Sequence, residues 1–121
     1  MRESLEITAP HARTLDLRAG GPARRSLLAG PPESAGMRSG LVVLAAGESV
    51  GRHTTGSREE AIVVLEGRGE LRVDGAAPLV VDTGTAAYVP PGTGHDVANP
   101  GETTLRYLYV VAEAGGAGAV R

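Results

Sequence analysis

The chain has 121 residues, a formal net charge of −2 at pH 7 and no cysteine. That length suffices for one domain with a single core, and the slightly acidic charge argues against nucleic acid as the main partner, because phosphate binding requires a basic face. Without cysteine there is neither a disulfide framework nor a thiolate metal site. All 12 basic residues are arginine, which excludes Schiff-base chemistry by lysine. We therefore expect a one-domain protein of the reducing cytoplasm.

The sequence shows no targeting or membrane-spanning segment. The first ten residues, MRESLEITAP, lack the apolar stretch of a secretory signal. No apolar run approaches the roughly 20 residues that a membrane helix needs. We expect neither export nor a membrane partner.

Residues 1–35 are predicted to form an N-terminal arm with two short strands. The strands cover residues 12–17 (ARTLDL) and 25–28 (RSLL), and they are bounded by the glycine pair at 20–21 and the proline pair at 31–32.

Residues 36–112 are predicted to form the main domain, which is built from short strands. The apolar runs are LVVLAA within 37–46, EAIVVLE at 60–66, ELRV at 70–73, PLVVD at 78–82, TAAYV at 85–89 and TLRYLYVVA at 104–112. No longer segment shows helical periodicity, and short strands between glycine and proline turns are typical of an all-β sandwich or barrel. We predict one antiparallel β-barrel, followed by a frayed tail over residues 113–121.

The clearest local feature is the segment Gly67-Arg68-Gly69 between two of these runs. A short glycine loop of this kind is typical of an antiparallel hairpin. We therefore expect the strands at 60–66 and 70–73 to pair with each other.

The strands at 41–44 and 61–65 are apolar on both faces. Successive side chains of a strand point to opposite sides, so one face lines the barrel and the other must be covered by the N-terminal arm or by a second subunit. Burying such a face stabilises by about 25 cal/mol per Å². We expect a homodimer with two-fold symmetry, and the N-terminal arm is the element expected to reach across.

Two turn-rich passages each carry one histidine at characteristic spacings. The first spans residues 47–67 and contains, in order, Gly47, His53, Thr55, Glu60 and Gly67. The second spans residues 84–99 and contains Gly84, Pro90, Gly92, His95 and Asn99. In order and spacing these passages resemble the two signature motifs of the cupin superfamily. The second motif is complete, whereas the first has Thr55 where the family has a second histidine.

The resemblance implies a conserved cupin barrel over about residues 36–112, with His53, Glu60 and His95 converging inside it. Two imidazoles and one carboxylate suit a divalent ion such as Fe(II), Mn, Ni or Zn, with positions left open for water or substrate. Because a neutral threonine hydroxyl is a poor metal ligand, Thr55 at the fourth ligand position leaves two interpretations. The site has three protein ligands and an extra water, or the barrel has lost its metal.

Two further questions concern the residues around this set. Glu59 is the competing carboxylate, since the family tolerates a gap of three or four residues, but Glu60 has the six-residue separation from Gly67 that the pattern requires. Tyr107 and Tyr109 share one strand face and are candidates for hydrogen bonding a ligand at the pocket mouth, as Glu60 is for a catalytic base. The alternative for both tyrosines is a half-buried place in the core.

These features support three hypotheses of function. The first is a metal-dependent enzyme that acts on a small organic molecule as an oxygenase, isomerase or cyclase. The second is a non-catalytic module that binds a small ligand, and the third is a structural cupin without metal. The chain has no Phe and no Trp, and the small aromatic surface favours a small ligand.

Overall fold

The structure is a computed structural model of the chain, and it describes residues 10–115. These residues form eight strands: β1 (Arg24–Ala29), β2 (Arg38–Leu44), β3 (Arg58–Glu66), β4 (Arg68–Val73), β5 (Leu79–Asp82), β6 (Ala86–Val89), β7 (His95–Ala98) and β8 (Leu105–Glu113). No residue from 10 to 115 is helical. Accordingly, this part of the chain contains no helix long and apolar enough to cross a membrane.

The strands form two antiparallel sheets that enclose one core. The larger sheet has the order β1-β2-β8-β3-β6, and the smaller has the order β5-β4-β7. The segment before β3 lies beside β7, to which it is joined by the bridges Ser49↔Ala98 and His53↔His95. The prediction of an all-β antiparallel barrel is confirmed.

The core fills with aliphatic side chains because each strand turns alternate residues inward. Along β3, Ile62 and Val64 are buried, whereas Ala61, Val63 and Leu65 on the opposite face are half-buried. Ile62, Leu71 and Leu105 are fully buried at the centre of the cluster. Burying each of these side chains stabilises the fold by about 1.5–3 kcal/mol.

The predicted hairpin between β3 and β4 is wrong. β3 pairs with β6 and β8, and β4 pairs with β5 and β7, so the chain passes from one sheet to the other at Gly67. Gly67 has a φ of 86°, and a Cβ there would collide with the carbonyl oxygen of Thr104. This glycine therefore permits a close backbone crossing rather than a tight turn.

The N-terminal arm contains one of the two predicted strands. The strand at 25–28 is confirmed as part of β1, but residues 12–17 form no strand. Instead, arginine side chains hold the backbone of this segment: Arg106 Nη1 donates to the Leu17 carbonyl at 2.6 Å, and Arg25 Nη2 donates to the Asp16 carbonyl at 3.2 Å. Residues 1–9 lie outside the described part of the chain.

The same arm covers part of the outer face of the larger sheet. Residues 14–18 line a surface cavity together with Leu65 and Arg106. Part of the apolar outer face is thus covered within one chain. At the other end of the chain, β8 extends to Glu113, the first residue of the predicted tail. Residues 116–121 of that tail lie outside the described residues.

Candidate metal centre and ligand cavity

Three segments of the chain bring His53, Glu60 and His95 together. Glu60 lies on the inner face of β3, His95 begins β7, and His53 lies on the segment beside β7. The backbones of His53 and His95 exchange two hydrogen bonds, each 2.9 Å from nitrogen to oxygen. Directly opposed residues of an antiparallel pair project to the same side of a sheet, so the two rings lie together, with centroids 4.4 Å apart.

The main chain fixes the orientation of both imidazoles. His53 Nδ1 lies 2.9 Å from the Gly51 carbonyl oxygen, and His95 Nδ1 lies 2.9 Å from the Thr93 carbonyl oxygen. A carbonyl oxygen only accepts, so each Nδ1 carries a proton as the donor. In the neutral ring this leaves Nε2 unprotonated, as a metal-binding histidine requires.

The ligand atoms of the three side chains are close enough to hold one ion. One nitrogen of each histidine and one oxygen of Glu60 all lie within 4.8 Å of one another. His95 Nε2 lies 2.8 Å from Glu60 Oε1. His95 and Glu60 are buried, and His53 is exposed. Burying a carboxylate costs free energy unless a cation or a proton lies against it. For Glu60, that partner is either a metal ion bound by the cluster or a proton shared with His95.

Glu59 and Thr55, the two other residues considered for this site, are each engaged in hydrogen bonds outside the cluster. Glu59 lies on the outer face of β3 and accepts a 2.7 Å hydrogen bond from the Tyr88 hydroxyl, which raises the pKa of Tyr88. The Thr55 hydroxyl donates to the Arg58 carbonyl at 2.7 Å, and Arg58 N donates back to the Thr55 carbonyl at 3.2 Å. Thr55 therefore closes the turn into β3, and its proton is directed at the backbone rather than at the cluster.

A cavity of about 600 Å³ lies beside the cluster, and both predicted tyrosines line it. Tyr107 is 3% exposed and belongs to the core, whereas Tyr109 is half-buried. Burial, and next the negative charge of Glu60, raise the pKa of Tyr107, so its hydroxyl remains a hydrogen-bond donor. Within residues 10–115 neither tyrosine hydroxyl has a hydrogen-bond partner. The pocket interpretation and the core interpretation therefore both describe Tyr107.

A glycine on β2 makes room for Tyr109, and no sequence motif pointed to it. Gly40 of β2 faces Tyr109 across the strand pair. A Cβ on Gly40 would lie 2.7 Å from the Tyr109 hydroxyl oxygen, which is too close for any side chain. In the sequence this glycine is only the residue before the apolar run at 41–44, and its role depends on the register of β2 against β8.

An ion pair beside the two histidines was also missed. Arg52 Nε donates to both carboxylate oxygens of Asp74, at 3.0 Å each, and this hydrogen bonding lowers the pKa of Asp74. The pair lies over Gly94, where a Cβ would collide with both side chains. Asp74 N also donates to the Gly94 carbonyl at 3.0 Å. Arg52, next to His53, and Gly94, next to His95, are thus both hydrogen-bonded to Asp74, the residue that follows β4.

Two antiparallel sheets around a small cavity, with a His-Glu-His set at its side, define a jelly-roll barrel protein with a candidate metal site. Residues 40–111, more than half of the chain, match the family model described as "Cupin domain". The chain belongs to the cupin family.

Solved structures of cupin proteins are similar over most of the chain. A Cupin 2 conserved barrel domain protein from Salinispora arenicola is 28% identical, with a TM-score of 0.66, covering 88% of this chain and 91% of that one. A predicted oxalate decarboxylase from Thermotoga maritima is 25% identical, with a TM-score of 0.69, covering 75% and 79%.

A third similar structure shows the fold alone. The Cnp3 cupin domain of Schizosaccharomyces pombe is 22% identical, with a TM-score of 0.67 over 75% of this chain, and the match spans only 64% of that domain. The comparison with curated proteins found no significant match.

Proposed function

We propose that the chain binds a divalent metal ion through His53, Glu60 and His95 and acts on a small organic molecule in the adjoining cavity. One observation carries this proposal, namely that three segments bring two imidazoles and one carboxylate within 4.8 Å of one another. This nitrogen, nitrogen and oxygen set suits Fe(II), Mn, Ni or Zn. The Nδ1 hydrogen bonds to Gly51 and Thr93 support it further, because they hold Nε2 available in both neutral rings.

When bound, such an ion supplies Lewis-acid polarisation of substrate oxygens or activation of dioxygen. The chain's own groups bind and orient the substrate. Tyr107 and Tyr109 line the cavity and offer hydroxyl protons to substrate oxygens. Glu60 serves as a ligand or as a base. Since the Thr55 hydroxyl donates to the Arg58 carbonyl, water or substrate would fill the remaining ligand positions of a bound ion.

The reaction type we propose is that of an oxygenase, isomerase or cyclase. The cavity of about 600 Å³ matches the size of a small-molecule site. One similar structure is a predicted oxalate decarboxylase, which supports an enzymatic role on a small organic molecule.

A metal-free cupin that binds a small ligand, or only has a structural role, is the second candidate. The 2.8 Å separation of His95 Nε2 and Glu60 Oε1 favours it, because one shared proton satisfies both atoms without an ion. Thr55 at the position of the second histidine points the same way.

Metal analysis followed by a turnover assay separates these candidates. Protein purified without added metal is analysed for Fe, Mn, Ni and Zn, and metal-loaded protein is then incubated with a panel of small organic substrates. The first proposal expects near-stoichiometric metal and turnover that a chelator abolishes. Stoichiometric metal without turnover favours a binding module, and protein that takes up no metal contradicts the proposed site.

We also propose that the chain forms a homodimer. Half-buried Ala61, Val63 and Leu65 leave an apolar outer face on β3 that the arm covers in part. Sedimentation at micromolar concentration is expected to give twice the chain mass, and a monomer there contradicts the proposal. The cytoplasmic location inferred from the lack of cysteine stays a prediction.

A further inference from the structure

Strand β1 turns two adjacent arginines to opposite faces of the larger sheet. Arg24 is paired with Val42, a core residue, and Arg25 is paired with Leu41. Residues paired across a sheet share a face, so Arg24 lies on the inner side. The guanidinium of Arg25 donates instead to the carbonyls of Asp16 and Arg18, at 3.2 and 3.1 Å.

Three arginines line the cavity, and within residues 10–115 only one lacks an acceptor. Arg25 is held by the arm, and Arg52 is paired with Asp74. Arg24 is exposed, lines the cavity, and makes neither an ion pair nor a side-chain hydrogen bond in the described part of the chain. Its guanidinium offers planar, paired N–H donors that match a carboxylate.

The other lining groups include two further hydrogen-bond donors. The hydroxyls of Tyr107 and Tyr109 are unpartnered donors within residues 10–115, and the positive charge of Arg24 reaches Tyr107, where it opposes the rise in the pKa of that hydroxyl. Val50 and Val111 add apolar surface to the lining of the same cavity. A divalent ion would outweigh the single negative charge of Glu60, so the loaded cavity would be positive overall.

We propose that the cavity binds a small carboxylate, with Arg24 pairing to the carboxylate group and the tyrosine hydroxyls donating to it, while the aliphatic body of the ligand packs on the valines. This inference rests on the proposed function, since it names the substrate class of the same site. It assigns Arg24 as the residue that determines specificity for an anion over its neutral analogue.

The test is an NMR titration of the protein, with and without added zinc, with butyrate and with succinate, each compared with its neutral amide. Wild type is expected to bind the acids and not the amides. Arg24→Gln is expected to weaken acid binding about ten- to hundredfold, as the loss of a charge-assisted, two-pronged contact does, and Arg24→Lys is expected to recover only part of it. Arg68→Gln is the matched control, because Arg68 is exposed on β4 and does not line the cavity.

The outcomes separate this inference from the metal site. The inference is overturned if wild type binds no acid. It is also overturned if acid affinity is equal in wild type, Arg24→Gln and Arg68→Gln, and both results hold whether or not the protein takes up metal. Arg24-dependent acid binding in protein that takes up no metal supports the carboxylate site and overturns the metal proposal. Thermal unfolding of Arg24→Gln at the wild-type temperature excludes misfolding as the cause of a loss.

Discussion

His53 and His95 exchange both of their main-chain hydrogen bonds, each at 2.9 Å. This pairing joins two residues that are far apart in sequence, and it fixes the distance between their imidazoles before any ligand arrives. Glu60 then reaches His95 from the facing sheet, at 2.8 Å. The candidate centre therefore spans both sheets, and its geometry depends on the packing of the whole barrel.

The first prediction concerns the two histidines. His53→Ala and His95→Ala each leave two protein ligands, so we expect each variant to lose metal affinity by more than the roughly 10–100-fold that loss of a supporting partner costs. Metal analysis after dialysis measures this. His11→Ala is the matched control, since His11 is exposed on the arm and is expected to retain wild-type metal content. Full metal retention by His95→Ala would contradict the assignment.

The second prediction concerns the Arg52–Asp74 brace. Asp74→Asn removes the charge that holds Arg52 beside His53 and His95, and we expect metal affinity to fall up to about tenfold while the fold is kept. Asp16→Asn is the control, because Asp16 also pairs with an arginine, Arg18, but on the arm. Equal metal affinities of the two variants in a metal titration would show that the Arg52–Asp74 pair does not support metal binding.

The same pair has a defined pH dependence. Arg52 lowers the pKa of Asp74 from its ordinary 3.8, so the contribution of the pair to stability is complete above that value and is lost as pH falls through the lower folded-state pKa. We expect Asp74→Asn to reduce the acid sensitivity of unfolding below about pH 4. Denaturation of both proteins across pH 2–7 measures it, and identical acid profiles would show that the exposed pair contributes nothing.

Gly67 gives a prediction about stability rather than binding. Gly67→Ala forces a residue with a Cβ to adopt a positive φ and to meet the Thr104 carbonyl, so we expect destabilisation of at least about 1–3 kcal/mol. Gly75→Ala is the control, because Gly75 also has a positive φ but open space around its Cβ position. Chemical denaturation should give a larger loss for Gly67→Ala, and equal losses would mean that the crossing is not tight.

The sequence predicted the cluster better than the connections around it. His53, Glu60 and His95 were predicted to converge because the spacing of the two motifs resembles that of the cupin superfamily, and the resemblance implies one shared site. The hairpin prediction at Gly67 was wrong because a tight turn and a crossing to another sheet can both require a residue without a Cβ, so a glycine does not distinguish them. The purpose of Gly40 depends on the register of two strands distant in sequence.

The arginines show the same limit. Arg24 and Arg25 are adjacent and chemically identical, and only the contacts of β1 with the arm decide which guanidinium is left without an acceptor in the described part of the chain. The Arg52–Asp74 pair joins residues 22 positions apart. No local pattern encodes either arrangement.

Thr55→His tests how the motif was altered. Thr55 follows His53 by two residues and lines the same cavity, so a histidine there is expected to replace a water with an imidazole and to tighten metal binding. It also removes the hydroxyl bond to Arg58, at a cost in stability of about 1 kcal/mol. Thr55→Val is the control for that loss alone, and equal metal affinities in Thr55→His and Thr55→Val would show that position 55 does not face the ion.

Calorimetric titration of wild type with Zn, Ni, Mn and anaerobic Fe(II) tests the metal site most directly. The account predicts one ion per chain for at least one of these metals, with affinity that weakens as pH falls because protons compete for the imidazoles. If wild type takes up none of them while Thr55→His does, the barrel is a metal-free descendant and the proposed metal site is contradicted.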